Sequence, residues 1–474
     1  MSEIIHLYHT NDLHSHFENW PRIDKFLKER RQLHQETGEE AIILDIGDHV
    51  DRWHPYTEGT LGKGNIELLN EAGYQYVTIG NNEGITLPHD ALDSLYDHAR
   101  FKVLAANIYH GDNERPEWAL PYWIHTTVKG TKIALIGLTA FFQKFYSAMG
   151  WELTEPFVEL KEQLERVRTE ADVIIILSHL GIHDDERMAA DFPEIDVILG
   201  AHTHHILHQG KLINDTLLCG AGKYGFFVGQ VEMTVNQEKR ISKKSAILYD
   251  TNDFSELENE RSWIEAMYQA GGETLKQVVV DLPEALENDW FKVSALTKIL
   301  GEALREWSQA DCTFLNAGLL LDGLPKGPVT KGDIHRICPH PINPCIVEVN
   351  GNELKEILMQ SRNEEWPHIQ VKGFGFRGKI MGVMNYDQIE FNEMENGIVK
   401  GILIKGEKLQ ADKSYKLAIP DMFTFGHFFP SIQRTNRKEY LLPEFLRDIL
   451  LWKLKKYIQM PNAKSRFRLF IHKV

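Results

Sequence analysis

The chain has 474 residues and carries 52 basic against 68 acidic side chains, a formal net charge of −16. This length exceeds what one hydrophobic core supports and favours two domains. The acidic balance, with no Lys/Arg-rich stripe interleaved with aromatic residues, disfavours a nucleic-acid-binding surface. The sequence shows no signal peptide, no apolar run of about 18 residues and no CxxC spacing among its 4 cysteines, so we expect a reduced, cytoplasmic protein without a membrane partner.

Apolar runs with the length and composition of buried β-strands recur through the first half of the chain. They cover 3–8, 41–46, 75–79, 102–106, 131–139, 172–178, 196–200, 216–220 and 227–234. Helical patterns lie between them, and this alternation predicts a layered α/β fold. Beyond residue 238 the sequence becomes charged, with apolar residues spaced for one buried helical face. We therefore predict a first domain over 1–240, a connector over 241–280 and a second domain over 281–474.

Polar residues of the metal-ligand type follow five of these runs, each just past the carboxyl end of a predicted strand. They are Asp12 and His14, then Asp48, then Asn81, then His179, and finally His202 and His204. Open α/β sheets assemble their sites beyond the carboxyl ends of their strands, so we expect one site built from five strands. Two closely spaced divalent ions need carboxylate, imidazole and amide ligands with one shared carboxylate, and Asp48 is our candidate for the shared position.

Short motifs carry these residues. They are HTNDLHSHF (9–17), GD (47–48), GNNE (80–83), SHLG (178–181) and GAHTHH (200–205). At these motifs the chain resembles the calcineurin-like metallophosphoesterases and, within them, the two-domain 5'-nucleotidase family. The resemblance implies an α/β fold, in which a four-layer α/β/β/α catalytic domain precedes a smaller α+β substrate-binding domain. It also implies a metal-dependent phosphoric ester hydrolase.

The resemblance further implies two divalent metal ions in this site, with Mn, Zn, Fe or Co as candidates. The first ion would be held by Asp12, His14 and His204, the second by Asn81, His179 and His202, and Asp48 would bridge them. In the mechanism that follows, a metal-bridging hydroxide attacks phosphorus in line while the ions neutralise charge on the phosphoryl oxygens.

The chain departs from the family at the GNHE motif, whose histidine stabilises the transition state and helps the leaving group depart. Asn82 takes that place here, and we expect it to hydrogen-bond the phosphoryl group. An amide cannot protonate an alkoxide, and loss of a positioned general acid costs about 10²- to 10⁴-fold in rate. Candidates for another acid are His49, His54, His16 and His89, with exposed loop histidines as the competing interpretation. Of these, His49 is the predicted catalytic residue.

The second half contains ADCTFLNAG (310–318) and a TKGD turn, which resemble the C-terminal signature of the family. Asn316 and Gly318 are predicted to begin the substrate-binding surface, although the arginine expected beside them is replaced by leucines. Relatives hold the nucleobase between two aromatic rings, and an ordinary core cluster is the competing interpretation here. The candidates for this slot are Phe374, Phe376, Phe425 and Phe428. Arg377 is a candidate contact to substrate phosphate.

These features together predict a hydrolase that acts on nucleotides or related phosphate esters, in the manner of a 5'-nucleotidase. A leaving group such as a nucleoside phosphate departs without protonation, which keeps a nucleotide pyrophosphatase, a phosphodiesterase or a nucleotide-sugar hydrolase as alternatives. A further alternative is a non-catalytic nucleotide sensor that keeps the metals for ligand affinity. The sequence carries no signal for an oligomeric state.

Overall fold

The chain divides after Gly271 into two units, each with its own core. The computed structural model describes residues 2–112, 114–394, 398–426 and 428–459. Within these ranges no helix has the length and apolar character needed to cross a membrane.

The first unit contains strands β1–β15 and helices α1–α9. The strands are β1 (Glu3–Thr10), β2 (Glu40–Asp45), β3 (Tyr76–Val77), β4 (Lys102–Leu104), β5 (Ile108–His110), β6 (Ala119–Leu120), β7 (Tyr122–Thr126), β8 (Lys132–Leu138), β9 (Trp151–Leu153), β10 (Val173–Ser178), β11 (Val197–Gly200), β12 (Lys211–Ile213), β13 (Thr216–Cys219), β14 (Phe227–Val235) and β15 (Ile241–Asp250). The helices are α1 (Trp20–Thr37), α2 (Pro55–Thr60), α3 (Lys63–Ala72), α4 (Asn81–Thr86), α5 (His89–Asp93), α6 (Gln143–Ala148), α7 (Pro156–Val167), α8 (Ile182–Asp191) and α9 (Glu260–Thr274), of which α9 continues past the division. Every predicted apolar run overlaps one of these strands.

Two large sheets organise this unit. One has the order β15-β14-β1-β2-β3-β4-β6 and the other β12-β13-β11-β10-β8-β7. In the first sheet β1, β2, β3, β4 and β6 run parallel, and in the second β8, β10, β11 and β13 do so. Parallel strands bring their carboxyl ends to one edge of a sheet, so the loops that follow them gather there.

The strand β10 is buried on both faces, and its sequence is therefore a continuous apolar run instead of an alternation of apolar and polar residues. Ile175 belongs to the core between the sheets together with Leu44 of β2. Its neighbour Ile176 points the other way and packs with Leu164 of α7. Because α1 covers the outer face of the first sheet, the layers are helix, sheet, sheet and helix, and the predicted α/β fold is confirmed.

The strand β15 lies in the range that we assigned to the connector. It pairs antiparallel with β14, with Ile247 opposite Gln230. As the edge strand of its sheet it exposes side chains such as Lys243 to solvent. Edge strands commonly carry lysines, which discourage pairing with other chains. Because a charged linker has the same composition, the sequence pattern predicts a connector here.

The second unit combines small sheets with packed helices. Its strands are β16 (Val278–Leu282), β17 (Cys312–Asn316), β18 (Gly327–Thr330), β19 (Pro344–Asn350), β20 (Met384–Asp387), β21 (Ile389–Glu393), β22 (Val399–Ile404), β23 (Glu407–Lys408), β24 (Ser414–Pro420) and β25 (Lys438–Tyr440). Its helices are α10 (Ala295–Trp307), α11 (Lys331–Ile337), α12 (Gly351–Ser361), α13 (Pro430–Arg434) and α14 (Leu446–Gln459). The main sheet has the order β20-β17-β24-β19-β25. The TKGD turn starts α11, because Thr330 and Asp333 cap the helix reciprocally.

A buried histidine in this unit makes its stability sensitive to acid. His340 is fully buried; its Nε2 lies 3.0 Å from the Leu319 carbonyl and its Nδ1 accepts the Arg377 amide at 2.8 Å, so the neutral ring is satisfied. Burial and, next, the charge of Arg377 lower the pKa of His340 to about 3, with Arg447 and His335 acting in the same direction and the Leu319 bond opposing them.

We predict that His340 makes the second unit less stable as the pH falls below 6.5. In the unfolded chain His340 is protonated as the pH falls below its ordinary pKa of 6.5. In the folded state it stays neutral until about pH 3. The free energy of unfolding should therefore fall by about 1.4 kcal/mol per pH unit within this window. Urea unfolding at pH 6.5 and pH 5 measures the loss, which a His340→Gln variant should lack. Equal losses in both proteins would contradict the assignment.

Candidate metal centre

The predicted ligands lie in loops at the edge where the parallel strands of both sheets end. Asp12 and His14 follow β1, Asp48 follows β2 and Asn81 begins α4 after β3. In the second sheet, His179 follows β10, and His202 and His204 follow β11. Because the two sheets pack face to face, side chains from sequence positions almost 200 residues apart meet at this edge.

Six of these seven residues form two adjoining groups. The ligand atoms of Asp12, His14 and His204 lie within 4.8 Å of one another, and so do those of Asp48, His179 and His202. The His204 Nε2 is 3.4 Å from the Asp12 Oδ1, and the His179 Nε2 is 3.4 Å from the Asp48 Oδ2. The His14 Nε2 lies 3.7 Å from a carboxylate oxygen of both Asp12 and Asp48, which links the groups.

Left-handed backbone conformations recur at these positions. The φ angles are 51° at Asp12, 50° at His14, 52° at Asp48, 71° at His202 and 57° at His204. Residues other than glycine rarely adopt this region, and each instance costs free energy that the surrounding structure must offset. Such outliers cluster at functional sites, and here they turn the side chains of successive loops toward one point.

Buried polar atoms in this cluster lack the partners that buried atoms normally have. The His179 Nδ1 lies 2.6 Å from the Ile46 carbonyl oxygen, which orients the ring. The His179 Nε2 and the Asn81 Oδ1 are buried without a hydrogen-bond partner among the described residues. An unpartnered buried polar atom costs about 1–3 kcal/mol, and both atoms are of a kind that coordinates divalent cations. These residues therefore fit a metal ion.

Electrostatics point the same way, because Asp12 and Asp48 bring two carboxylates into the protein interior. Burial raises the pKa of Asp48, but the facing His179 and His14 outweigh it and leave the pKa below its ordinary value. Burial lowers the pKa of His179, yet Asp48 and Asp12 raise it to about 10. The buried carboxylates thus demand positive charge at this edge, from a proton or from a cation.

Glu83, for which the sequence predicts no role, joins the loop that follows β2 to the loop that follows β3. Its carboxylate accepts the amide of Asp48 at 3.0 Å, of Val50 at 2.8 Å and of Gly80 at 2.8 Å. Burial and then the Asp48 charge raise its pKa to about 7. Its place three residues after the cap of α4 is the capping-box position, a signal that could have identified it.

Asn82 contacts two of the predicted ligands. Its backbone amide donates to the Asp48 Oδ1 at 2.7 Å. Its side-chain Nδ2 donates to the Val50 carbonyl at 3.1 Å and lies 3.0 Å from the His14 Nδ1. Asn82 is buried, with 7% of its surface exposed. An amide nitrogen only donates, so this contact fits a His14 whose Nδ1 accepts a hydrogen bond. When the His14 Nε2 is free to coordinate a cation, the Nδ1 carries the proton, and the Asp51 Oδ2 at 3.4 Å is its acceptor.

Two candidate acids, His49 and His89, pack against tryptophan rings. His49 is buried, packs edge-on against Trp20 and places its Nδ1 3.2 Å from the Asn65 amide nitrogen. Burial lowers its pKa to about 3, so the ring is neutral at ordinary pH. His89 stacks on Trp151 at a centroid distance of 4.2 Å.

The remaining candidates, His54 and His16, also pack against aromatic rings. The His54 Nδ1 accepts a backbone amide and caps α2. His16 lies between the rings of Trp53 and Tyr224, with centroid distances of 4.8 Å and 3.9 Å. Trp53 donates its Nε1 proton to the His14 carbonyl at 2.7 Å. This aromatic group therefore adjoins the first set of ligands.

The predicted substrate residues of the second unit occupy different environments. Asn316 is buried, and its Nδ2 donates to the Met381 carbonyl at 2.8 Å. The Gly318 amide donates to the same carbonyl, and a methyl group at Gly318 would collide with the carbonyl of Ile380. Both residues hold this turn in place from inside the fold.

The four phenylalanines do not form one slot. Phe374 is 42% exposed and meets Phe428 edge to face at 5.7 Å. Phe425 stacks on Tyr440 at 6.3 Å. Phe376 is buried against His340, the histidine whose Nδ1 accepts the Arg377 amide.

Family models match both halves of the chain. The calcineurin-like phosphoesterase model matches residues 5–205, and the 5'-nucleotidase C-terminal domain model matches residues 273–434. The uncharacterized metallophosphoesterase YunD of Bacillus subtilis is 45% identical over 460 residues, covering 96% of this chain and 100% of that protein. The chain belongs to the calcineurin-like metallophosphoesterases. The expected family, and with it a phosphoester hydrolase carrying a 5'-nucleotidase-type C-terminal domain, is confirmed.

More distant relatives agree with this family. The trifunctional nucleotide phosphoesterase protein YfkN of Bacillus subtilis is 24% identical over 74% of this chain, which spans 27% of that longer protein. Among solved structures, a putative 5'-nucleotidase from Staphylococcus aureus has a TM-score of 0.68 at 17% identity, covering 96% of this chain and 97% of the other. The NAD nucleotidase of Haemophilus influenzae gives 0.66 at 16% identity with the same coverage. These likenesses show that the fold is shared. Calcineurin-like phosphoesterases bind divalent metals, as the histidine and aspartate groups here indicate.

We predict that Asp51→Ala lowers Mn²⁺ affinity by about 10- to 100-fold, because partners that orient a metal ligand typically contribute that much. The Asp51 Oδ2 lies 3.4 Å from the His14 Nδ1, whose proton it would accept while the Nε2 coordinates. Isothermal titration calorimetry on metal-free protein measures the change. The matched control is Asp253→Ala, which removes an exposed carboxylate. Unchanged affinity in Asp51→Ala would show that His14 is oriented without it.

We predict that Gly80→Ala lowers Mn²⁺ affinity by about tenfold or more, because a methyl group there would overlap the Asp48 carboxylate. Gly111→Ala is the control, since nothing lies within 4 Å of an added methyl group at that position. The same titration compares the two variants. Equal affinities would contradict the close approach of the two loops.

Proposed function

We propose that this chain hydrolyses phosphoric esters and anhydrides of nucleotides at the edge where Asp12, Asp48 and the four histidines meet. The observation that carries the proposal is the cluster of two buried carboxylates and four histidines. In it the His179 Nε2 makes no regular hydrogen bond with the described residues and has the Asp48 Oδ2 3.4 Å away. The Asn81 Oδ1, one residue before the amide that bonds Asp48, is buried without a hydrogen-bond partner among the described residues. Support for a nucleotide substrate comes from the match to the 5'-nucleotidase C-terminal domain model and from the names of the similar proteins.

The donor set supports two cation positions that share Asp48. Asp12, His14 and His204 would hold one ion, and Asn81, His179 and His202 the other. In favour of the shared position, the Asp48 Oδ2 lies 3.4 Å from the His179 Nε2 and 3.7 Å from the His14 Nε2, one nitrogen from each set. Mixed imidazole and carboxylate ligation suits Mn, Zn, Fe or Co.

When bound, such ions supply a nucleophile derived from water and neutralise charge on the phosphoryl oxygens. The protein's own part is to present the ligand atoms in fixed directions. The Ile46 carbonyl fixes the ring of His179, and the Asp51 carboxylate would accept the Nδ1 proton of His14. Asp48 is held by the amide of Asn82 at its Oδ1, which leaves its Oδ2 toward the histidines.

The placement of Asn82 favours substrates whose leaving group needs no proton. Its Nδ2 is engaged by Val50 and His14, so its amide is not directed at a leaving group. His49, the other proposed catalytic residue, is buried beside Trp20. A nucleoside phosphate released from an anhydride or a nucleotide-sugar departs as a stable anion, whereas an alkoxide does not.

In the second unit we propose a nucleobase contact at Phe374, the most exposed of the four phenylalanines, with Phe428 beside it. Ring stacking tolerates any base, so this contact would supply affinity without base selection. Phe376, Phe425, Asn316 and Gly318 would shape this surface from behind, and Arg377 would contact phosphate.

We predict that the Mn²⁺-loaded protein releases product from nucleoside diphosphates, nucleotide-sugars and an aryl phosphate. Nucleoside monophosphates, whose leaving group is the nucleoside alkoxide, should react about 10²- to 10⁴-fold more slowly because a positioned acid is lacking. Phosphate release and chromatography of the nucleoside products measure both rates. Asp48→Asn is the blank.

Three outcomes separate the possibilities. No turnover above the Asp48→Asn blank, with nucleotide still bound, would replace the hydrolase with a nucleotide sensor. Equal rates on monophosphates and anhydrides would retain the hydrolase and overturn the leaving-group argument. Turnover that survives in Asp48→Asn would remove the proposed site.

A further inference from the structure

A second group of metal-ligand side chains lies at the opposite end of β1. His6 is in β1, His34 is in the last turn of α1, and Glu39 immediately precedes β2. The strand runs four residue steps from His6 to its end at Thr10, about 13 Å at roughly 3.3 Å per residue, and Asp12 lies two residues beyond that end. The phosphoesterase site uses none of these side chains.

Two ring nitrogens of this group lie close to one carboxylate oxygen. The His6 Nε2 lies 3.3 Å and the His34 Nδ1 3.0 Å from the same oxygen, the Glu39 Oε2. The two rings stack at a centroid distance of 3.9 Å with 24° between their planes. Both rings are almost fully buried, with 4% of His6 and 5% of His34 exposed.

The outward nitrogens of both rings are held by buried polar partners. The His6 Nδ1 lies 2.9 Å from the side-chain nitrogen of Gln230. The side-chain oxygen of Gln230 accepts a hydrogen bond from the Tyr249 hydroxyl at 2.6 Å. The His34 Nε2 lies 2.9 Å from the Tyr8 hydroxyl. Metal-binding histidines have this arrangement, in which a partner on the remote nitrogen sets the ring orientation.

Solvent reaches the group from one side. His34 and Glu39 line a surface cleft of ≈ 380 Å³, whose lining also includes two acidic and two basic residues, Glu3, Glu40, Arg31 and Lys129. A cation entering from this cleft would meet two imidazole nitrogens and one carboxylate, and would keep water as a further ligand. That donor set suits zinc and similar divalent ions.

We propose that His6, His34 and Glu39 bind a divalent cation of the zinc type, at a site separate from the phosphoesterase centre. Both rings stay neutral on binding, with their protons on the His6 Nδ1 and the His34 Nε2. The Gln230 amide turns its oxygen to the His6 proton while its nitrogen donates to the Tyr249 hydroxyl, and the Tyr8 hydroxyl accepts the His34 proton. Each of the two ring protons therefore has an acceptor.

The position implies a structural role. The ion would join the end of α1 to the start of β1 and β2. The loop between β1 and α1 carries Asp12 and His14, so the same ion would restrain the element that leads away from the catalytic ligands. Because such an ion binds only the folded chain, it raises the stability of the first unit by mass action.

The test is the zinc content of the protein after reconstitution with Zn²⁺ and dialysis, measured by plasma mass spectrometry. Glu39→Gln and His6→Gln should each hold about one ion fewer than the wild type, whereas Asp48→Asn should keep this ion. Glu36→Gln is the matched control, since it changes an exposed carboxylate of α1 that accepts a bond from Gln32. Equal zinc content in the wild type, Glu39→Gln and His6→Gln would overturn the proposal.

A measurement on the unaltered chain guards against variants that fail to fold, since Glu39 also accepts a bond from Thr37. Crystals of the wild type soaked in Zn²⁺ should show an anomalous scattering peak between His6, His34 and Glu39. The absence of a peak there, with peaks present at the phosphoesterase centre, would mean that the group is a hydrogen-bonded network only. Adding Zn²⁺ should also raise the melting temperature of Asp48→Asn.

Discussion

Two carboxylates buried where the sheets meet are the constraint on which the first unit depends. Asp12 and Asp48 lie at the end of an apolar core, where an unpaired negative charge is costly. Histidines from the opposite sheet face them and can carry a proton or coordinate a cation. The parallel topology makes this meeting possible, because it sends the carboxyl ends of β1, β2, β10 and β11 to one edge. The charge requirement then accounts for the left-handed loops, which cost free energy and are tolerated because they aim the ligands.

Hydrogen bonds from neighbouring residues hold the loops that carry the candidate ligands. Glu83 gathers three amides from the loops after β2 and β3, and glycine at 80 lets the Asp48 carboxylate approach the neighbouring backbone. Asn82 belongs to this support: its backbone amide holds Asp48, and its side-chain amide donates to the Val50 carbonyl.

The strand β1 connects two polar clusters through an apolar middle. Ile5 and Leu7 face the core between the sheets. His6, between them in sequence, faces His34 and Glu39. Asp12 follows the carboxyl end of the strand. In both clusters, an imidazole ring is oriented by a hydrogen bond to the ring nitrogen that points away from the cluster. They differ in charge: the phosphoesterase cluster holds two fully buried carboxylates, whereas the group at His6 holds one half-buried carboxylate that its own histidines satisfy.

The sequence pattern is enough to predict the layered α/β fold and most strand positions, because buried parallel strands are apolar throughout and lack the periodicity of amphipathic helices. It also predicts candidate ligands in the loops that follow the strands. It does not reveal β15, whose edge position gives it the composition of a linker. Packing within the folded chain places His49 against Trp20, Phe376 against His340 and the side-chain amide of Asn82 against the Val50 carbonyl, none of which the sequence pattern predicts. Side-chain direction depends on which neighbours pack against a loop, and those neighbours come from distant parts of the chain.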